Sequence, residues 1–214
     1  MVTETGTRTR KADQRKKRRW MKETPQAVRY TFADTRLGPL LVAAEDGGIC
    51  AVFLARPRSD LLEALGREFP TSRREEDRQG LDAWLGPIAA SVQTAAEIPD
   101  LPADLRGTDF QLRVWRALMA IPRGETRSYK ELARSLDRPE AARAVARACA
   151  TNRTALLVPC HRVVRTDGTT GGYRWGAEVK RKLLKWERAP AASVGRAPSF
   201  GQAITMAAEK PAGR

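Results

Sequence analysis

The chain has 214 residues, 42% of them hydrophobic, 30% charged and 6% aromatic, with a formal net charge of +14. That length suits one large domain or two small ones, the balance is too apolar for a wholly disordered chain, and no apolar run approaches the roughly 20 residues of a membrane span. The first 24 residues are polar and basic, without the apolar core of a secretory leader, so a cytoplasmic protein is expected. Three cysteines leave one over from any pairing, and one histidine does not fill the usual Cys/His zinc spacings. Free thiols, and neither a metal nor another cofactor, are expected.

The charge is unevenly placed. Residues 1–24 carry nine Lys/Arg against three Asp/Glu, residues 25–106 nine against 13, and residues 107–188 eighteen against eight. A basic second half beside a mildly acidic first half suggests a scaffold followed by a segment that faces a polyanion. A basic but unoccupied soluble surface is the plainer alternative.

The run Lys11 to Arg19 offers almost nothing to bury and is expected to be disordered. From Val28 the pattern changes: Val28, Tyr30 and Phe32 alternate with polar residues, as in a half-buried strand. Leu40 to Ala44 and Ile49 to Phe53 flank Asp46-Gly47, a strong hairpin signal. Helices are predicted from Ser59 to Phe69, through Leu61, Leu62 and Leu65, and from Leu81 to about Ala95; Pro99 and Pro102 mark a linker. Nothing in residues 25–100 looks like chemistry.

The second half opens with Thr108-Asp109-Phe110-Gln111, a capping-box pattern, and Phe110, Val114, Trp115 and Leu118 form the buried stripe of the helix it starts. That helix stops at Pro122 and Gly124. Ser128 and Glu131 repeat the box and open a second short helix carrying Leu132 and Leu136. Pro139 suits a first helical position, and a third helix is predicted from it to about Thr151. The two short helices make a helix-turn-helix.

The third helix is rich in alanine, and Arg143 and Arg147, four apart, share a face. Such a thin surface can approach DNA closely and hold phosphates but has little means of reading bases. Ala142, Arg143 and Arg147 are therefore the DNA-facing candidates. The competing reading is a helix packed in a core with two surface arginines.

Ala155 to Val158 is predicted as a buried strand leading to Pro159-Cys160-His161-Arg162-Val163-Val164. A lone cysteine is more often an inert small hydrophobe than a nucleophile. Here its neighbour is the chain's one histidine, and a thiol of ordinary pKa needs a base to react near pH 7. Neighbours on a regular strand point to opposite faces, so a turn or a bridging water must bring Cys160 and His161 together. By periodicity alone, Lys180 and Glu187 lie on the solvated face of a helix from Ala177 to Arg188, whose Val179, Leu183 and Leu184 face inward.

The string Pro159 to Val164, with Gly171-Gly172-Tyr173-Arg174-Trp175-Gly176 and Lys180, resembles the methylated-DNA-protein-cysteine methyltransferases, or O6-alkylguanine-DNA alkyltransferases. Gly107 to Gln111, Val114-Trp115, Ile121-Pro122, Ser128-Tyr129 and Arg143-Ala144-Val145 match the same family in order. The Gly-Tyr-Arg-Trp-Gly version and the opening Ala27-Val28-Arg29-Tyr30 are similar to the C-terminal half of the bacterial Ada type. The zinc-binding and regulatory modules of that type have no counterpart in these residues, so the resemblance does not extend to phosphotriester repair or transcriptional control. Arg153 stands where a proline is often found, and Arg174 and Trp175 where other branches carry smaller residues.

The resemblance implies an α+β fold: a small ribonuclease-H-like sheet with helices over residues 25–100, then a winged-helix-like active-site domain over 107–188, between a basic tail (1–24) and a flexible one (189–214). It implies a monomer acting on double-stranded DNA that contains alkylated guanine. Cys160 would take the alkyl group from O6-alkylguanine, and also from O4-alkylthymine, once per molecule. His161 would act as base through water, Glu187 would orient it, and Asn152 would hold the turn before the active-site segment. Tyr129 would donate to guanine N3, the Val163 carbonyl would accept from the exocyclic amine, and the Arg174 amide would meet O6. Tyr173 would line the pocket, Lys180 would belong to the substrate site, and Arg143 would fill the gap left by a flipped nucleotide. Two alternatives remain: a Cys-His hydrolase, weakened by the adjacency of the two residues, and a DNA-lesion-binding protein without chemistry, against which Cys160 itself counts.

Overall fold

The computed structural model describes residues 27–94 and 96–188; the tails expected at 1–24 and 189–214 lie outside the described residues. The first half is a four-stranded sheet with two helices. Strands β1 (Ala27–Thr35), β2 (Gly38–Glu45) and β3 (Gly48–Leu54) form an antiparallel meander, and β4 (Arg73–Glu76) joins β1 in parallel, giving the order β3-β2-β1-β4. Val28 and Phe32 are buried as the alternation predicts, and the Asp46-Gly47 turn joins β2 to β3. Helices α1 (Arg58–Glu68) and α2 (Arg78–Thr94) fall where the apolar spacing puts them, α2 starting three residues early because Asp77 caps it by accepting from the Gly80 amide at 2.8 Å. Strand β4 was not legible: Arg-Arg-Glu-Glu has no apolar alternation. Its backbone pairing to β1 defines it, and its charges suit a sheet edge.

The opposite edge, β3, is covered by the chain's second half. The linker pairs there first, with the Ile49 amide donating to Pro102 O (2.8 Å) and the Asp104 amide to Ile49 O (2.9 Å). Gly48, at φ 121°, admits this close approach; a Cβ there would sit 2.5 Å from Pro102 O. Farther along, the Val52 amide donates to Arg153 O (2.8 Å) and the Ala155 amide to Val52 O (3.2 Å).

The second half contains α3 (Asp109–Met119), α4 (Tyr129–Ser135), α5 (Ala142–Ala150) and α6 (Ala177–Arg188), with a two-stranded parallel pair, β5 (Arg127–Ser128) and β6 (Val163–Val164). Both capping boxes form: Thr108 with Gln111, and Ser128 with Glu131. Pro139 begins a single 3-10 turn, Pro139–Ala141, rather than the α-helix itself. The Trp115 indole donates to Ala148 O at 2.9 Å and fastens α5 to α3.

The strand predicted at Ala155 to Val158 is absent. Thr154 and Ala155 each make one isolated bridge, Leu156 has φ 73°, and the Val158 amide returns to Thr154 O (2.9 Å) in a tight turn. The apolar run is buried because it straddles two cores. Ala155, Leu156 and Leu157 pack with the sheet, whereas Val158 packs with α3, α4 and α5. Among the described residues no helix is long and apolar enough to cross a membrane.

Candidate active site

Pro159 leads into a 3-10 turn, Cys160–Arg162, which answers how adjacent residues can share one site. Cys160 is 7% exposed and follows the buried Asn152 turn. The Asn152 side chain uses all its capacity. Its Nδ2 donates to Val158 O (2.8 Å) and to Cys160 Sγ (3.2 Å), and its Oδ1 accepts from the Thr154 amide (3.0 Å) and hydroxyl (3.1 Å). Asn152 therefore holds the turn and donates directly to the sulfur.

His161 is 1% exposed, with Nε2 2.8 Å from Glu187 Oε1 and a buried Nδ1 that has no protein partner. Glu187 also takes two bonds from Arg162, Nε to Oε2 and Nη2 to Oε1, each 2.9 Å, while Arg162 Nη1 donates to Ile121 O at 2.7 Å. Burial pushes the Glu187 carboxyl up, but the hydrogen bonds from His161 and Arg162 and the charge of Arg162 outweigh it and bring it down to about 2. Burial lowers His161 against the opposing pull of Glu187, and burial raises the Cys160 thiol against the Asn152 bond and the charges of Lys180 and Arg174. The resting pair is thus thiol and neutral imidazole. Glu187 favours the imidazolium without making it the resting form.

Helix α6 buries the two charges that periodicity assigned to solvent. Lys180 is 0% exposed and its Nζ donates to Val163 O at 2.5 Å; Glu187 points at His161. Leu183 is buried as predicted, but Val179 and Leu184 only partly. The Val163 carbonyl, expected to accept from an exocyclic amine, already accepts from Lys180, and Lys180 Nζ also lies 6.0 Å from the Tyr129 ring centroid. The β5–β6 pair brings Tyr129, at the start of α4, to this place. Burial raises the Tyr129 phenol to about 12, so it is a hydrogen-bond donor near neutral pH.

Tyr173 packs edge-on to His161, centroids 6.5 Å apart, and its buried hydroxyl has no protein partner. The Arg174 side chain turns away to Glu68, and Trp175 is a core residue 5.0 Å from Phe53, centroid to centroid. On α5, Val145, Ala148 and Cys149 face inward, Arg143 and Arg147 are exposed, and Ala142 is half-buried. Cys160, His161, Glu187, Asn152, Val163, Tyr173 and Lys180 thus share one buried cluster with Tyr129 beside it, while Arg143 and Arg147 lie on a separate open face. Sequence reasoning missed Arg162 and Glu68. Only adjacency to His161 hinted at the first, and nothing hinted at the second. Among the described residues no group of three His, Cys, Asp or Glu is placed to hold a metal ion.

Residues 109–189 match the family described as 6-O-methylguanine DNA methyltransferase, DNA binding domain. The chain is 45% identical over 161 residues to the bifunctional transcriptional activator/DNA repair enzyme Ada of Escherichia coli, a match covering 75% of this chain and 46% of that protein. The chain thus spans about half the length of that relative. It is 36% identical to the methylated-DNA–protein-cysteine methyltransferase of Candida albicans, over 74% of this chain and 95% of that one. The crystal structure of Mycobacterium tuberculosis OGT in complex with DNA superposes with a TM-score of 0.60 at 37% identity, covering 75% of this chain and 93% of that one.

Proposed function

The chain belongs to the 6-O-methylguanine DNA methyltransferase family, and from that premise we propose that it repairs DNA by direct reversal, Cys160 accepting the alkyl group of O6-alkylguanine, and of O4-alkylthymine, once per molecule. The observation that carries the reading is the buried thiol bonded by Asn152 beside a histidine whose one nitrogen is held by Glu187 and whose other is free. Nδ1 of neutral His161 is an acceptor when Nε2–H donates to Glu187, and it takes the thiol proton through water. The sulfur attacks the alkyl carbon, an S–C bond forms and the C–O6 bond breaks. The imidazolium returns its proton through water as guanine takes one up at its ring nitrogen, so thiol and O6-alkylguanine become S-alkylcysteine and guanine.

O6 is inaccessible in a paired duplex, so the nucleotide must be extruded, at a cost of a few kcal/mol. The exposed Arg143 and Arg147, with the half-buried Ala142 beside them, supply phosphate contacts, with Arg143 filling the vacated place. The Tyr129 hydroxyl donates to N3, the Arg174 amide to O6, and Tyr173 walls the pocket. The Val163 carbonyl accepts from the exocyclic amine while shared with Lys180, which fixes its direction. A meander with a parallel fourth strand supports a ribonuclease-H-like scaffold over 25–100, and α3 to α5 with the β5–β6 pair support a winged-helix-like domain over 107–188.

The test is the intact mass of the protein after incubation with duplex DNA containing O6-methylguanine. One methyl group on Cys160, with no further turnover, is expected. An unchanged mass would leave a lesion-binding protein, and modification elsewhere would move the acceptor.

A further inference from the structure

The loop from Thr170 to Trp175 has no regular structure and passes beside the site. Among the described residues, its one hydrogen bond to a distant part of the chain is from Arg174 Nη2 to Glu68 Oε1, 2.6 Å. Glu68 ends α1, in the half of the chain that holds no reacting group. Its other oxygen, Oε2, lies 2.7 Å from Arg153 Nε. Arg153 follows Asn152, and its carbonyl is the one paired to Val52 on the β3 edge. Both guanidiniums also lie over rings of the first half: Arg153 5.6 Å from the Phe69 centroid, Arg174 5.2 Å from that of Phe53. One carboxylate from the scaffold thus joins the turn that carries Asn152 to the loop that carries the Arg174 amide.

We infer that Glu68 is a positioning residue for alkyl transfer: by holding Arg153 and Arg174 at once, it fixes the 170–175 loop against the Asn152 turn, and so the O6-facing amide relative to the Cys160 sulfur. This rests on the proposed alkyl transfer and adds to it the means by which the first half of the chain governs a reaction it does not touch. The chemistry needs a carboxylate in particular, because both partners are donors and each carboxylate oxygen accepts from one of them. An amide has only one accepting oxygen. Whichever way a glutamine is turned, one guanidinium faces an NH2 group, and that arm opens.

The experiment compares wild type, Glu68→Gln, Arg153→Ala and the double variant in single-turnover reactions on methylated duplex and on free O6-benzylguanine. Glu68→Gln should lower the maximal rate roughly three- to tenfold, the size expected for a partly exposed charged contact that sets geometry. Both substrates should be affected alike, and the half-saturating DNA concentration should not change, because Arg143 and Arg147 lie elsewhere. Arg153→Ala, which cuts the other arm, should lose a comparable factor, and the double variant should be little slower than either single, since both remove one and the same bridge. A Glu68→Gln protein as fast as wild type overturns the inference. So does a loss accompanied by weaker DNA binding, a lower melting temperature and losses that add in the double variant, which would make Glu68 a fold residue only. A wild-type chain that takes up no alkyl group overturns the transfer reading itself, a result distinct from both.

Discussion

His161 Nε2 and Glu187 Oε1 lie 2.8 Å apart, joining the 3-10 turn that carries Cys160 to the last turn of α6. The same carboxylate is gripped by Arg162 through both oxygens, so its position is set independently of the imidazole. In the proposed transfer, an ionised Glu187 stabilises the imidazolium formed when Cys160 gives up its proton. Glu187→Gln keeps the shape and removes that charge, and should slow methyl transfer roughly ten- to a hundredfold near pH 7. Since burial raises the Cys160 thiol, the loss should shrink as pH rises and the thiol ionises unaided. Arg188→Gln is the control. Arg188 is exposed and, on a helix, about 100° round from Glu187. A Glu187→Gln protein at the wild-type rate throughout would remove the relay from the mechanism.

Cys160→Ala should abolish transfer and leave DNA binding intact, because the buried sulfur is remote in role from the exposed arginines of α5. Cys50 and Cys149 should not substitute for it. Burial raises both thiols, Cys50 to about 12, where the negative charges of Glu45 and Asp104 add to the effect. Intact mass and a gel-shift titration decide, and methyl uptake by the variant would reassign the acceptor.

Arg143→Ala should slow reaction with duplex DNA by roughly tenfold or more, given a flipping cost of a few kcal/mol. Reaction with free O6-benzylguanine should change little. Equal losses on the two substrates would make Arg143 structural. Wild-type binding should weaken steeply as salt rises, since phosphate contacts release counterions.

Asn152→Ala removes four hydrogen bonds at a residue 2% exposed and leaves the Thr154 amide without its acceptor, while the Val158 carbonyl keeps the Cys160 amide. Stability should fall by about 1–3 kcal/mol, read as a lower melting temperature, and transfer should slow because the bond to the sulfur is lost. A variant that melts like wild type would mean that the turn is held by backbone alone.

Acid should weaken the fold through the same cluster. Glu187 is held at about 2 in the folded chain, against an ordinary carboxylate near 4.3 when unfolded, so its contribution is present above that ordinary value and disappears as pH falls toward 2. His161 is also lowered by burial, so below about 6.5 the unfolded chain gains protons the folded one refuses, with the same sign. Urea titrations from pH 7 to 3 should show falling stability, and the gap between wild type and Glu187→Gln should narrow below pH 4. A constant gap would show that the carboxylate is not ionised in the native cluster.

The elements with a strong local signature were legible in the chain itself: the Asp46-Gly47 hairpin, the two capping boxes, the amphipathic helices, and the Pro159-Cys160-His161 string beside a basic half. Each depends on residues within a turn or two of one another, where sequence spacing and spatial spacing are the same thing. Strand β4 was illegible because its strand character resides in backbone bonds to β1 rather than in its Arg-Arg-Glu-Glu side chains. Ala155 to Val158 misled because burial between two cores gives the same apolar run as a strand does. Periodicity put Lys180 and Glu187 in solvent, and only the packing of α6 over the 3-10 turn placed one at the Val163 carbonyl and the other at His161. Glu68, Arg153 and Arg174 were three unrelated charges until the β3 edge drew in the second half and brought both guanidiniums to one carboxylate. Local sequence determined the segments that carry their own turn, cap or periodic signature; the partners of buried charges were decided by tertiary structure, because a charge withdrawn from water is satisfied by whichever opposite group the fold brings within hydrogen-bond reach, at any distance along the chain.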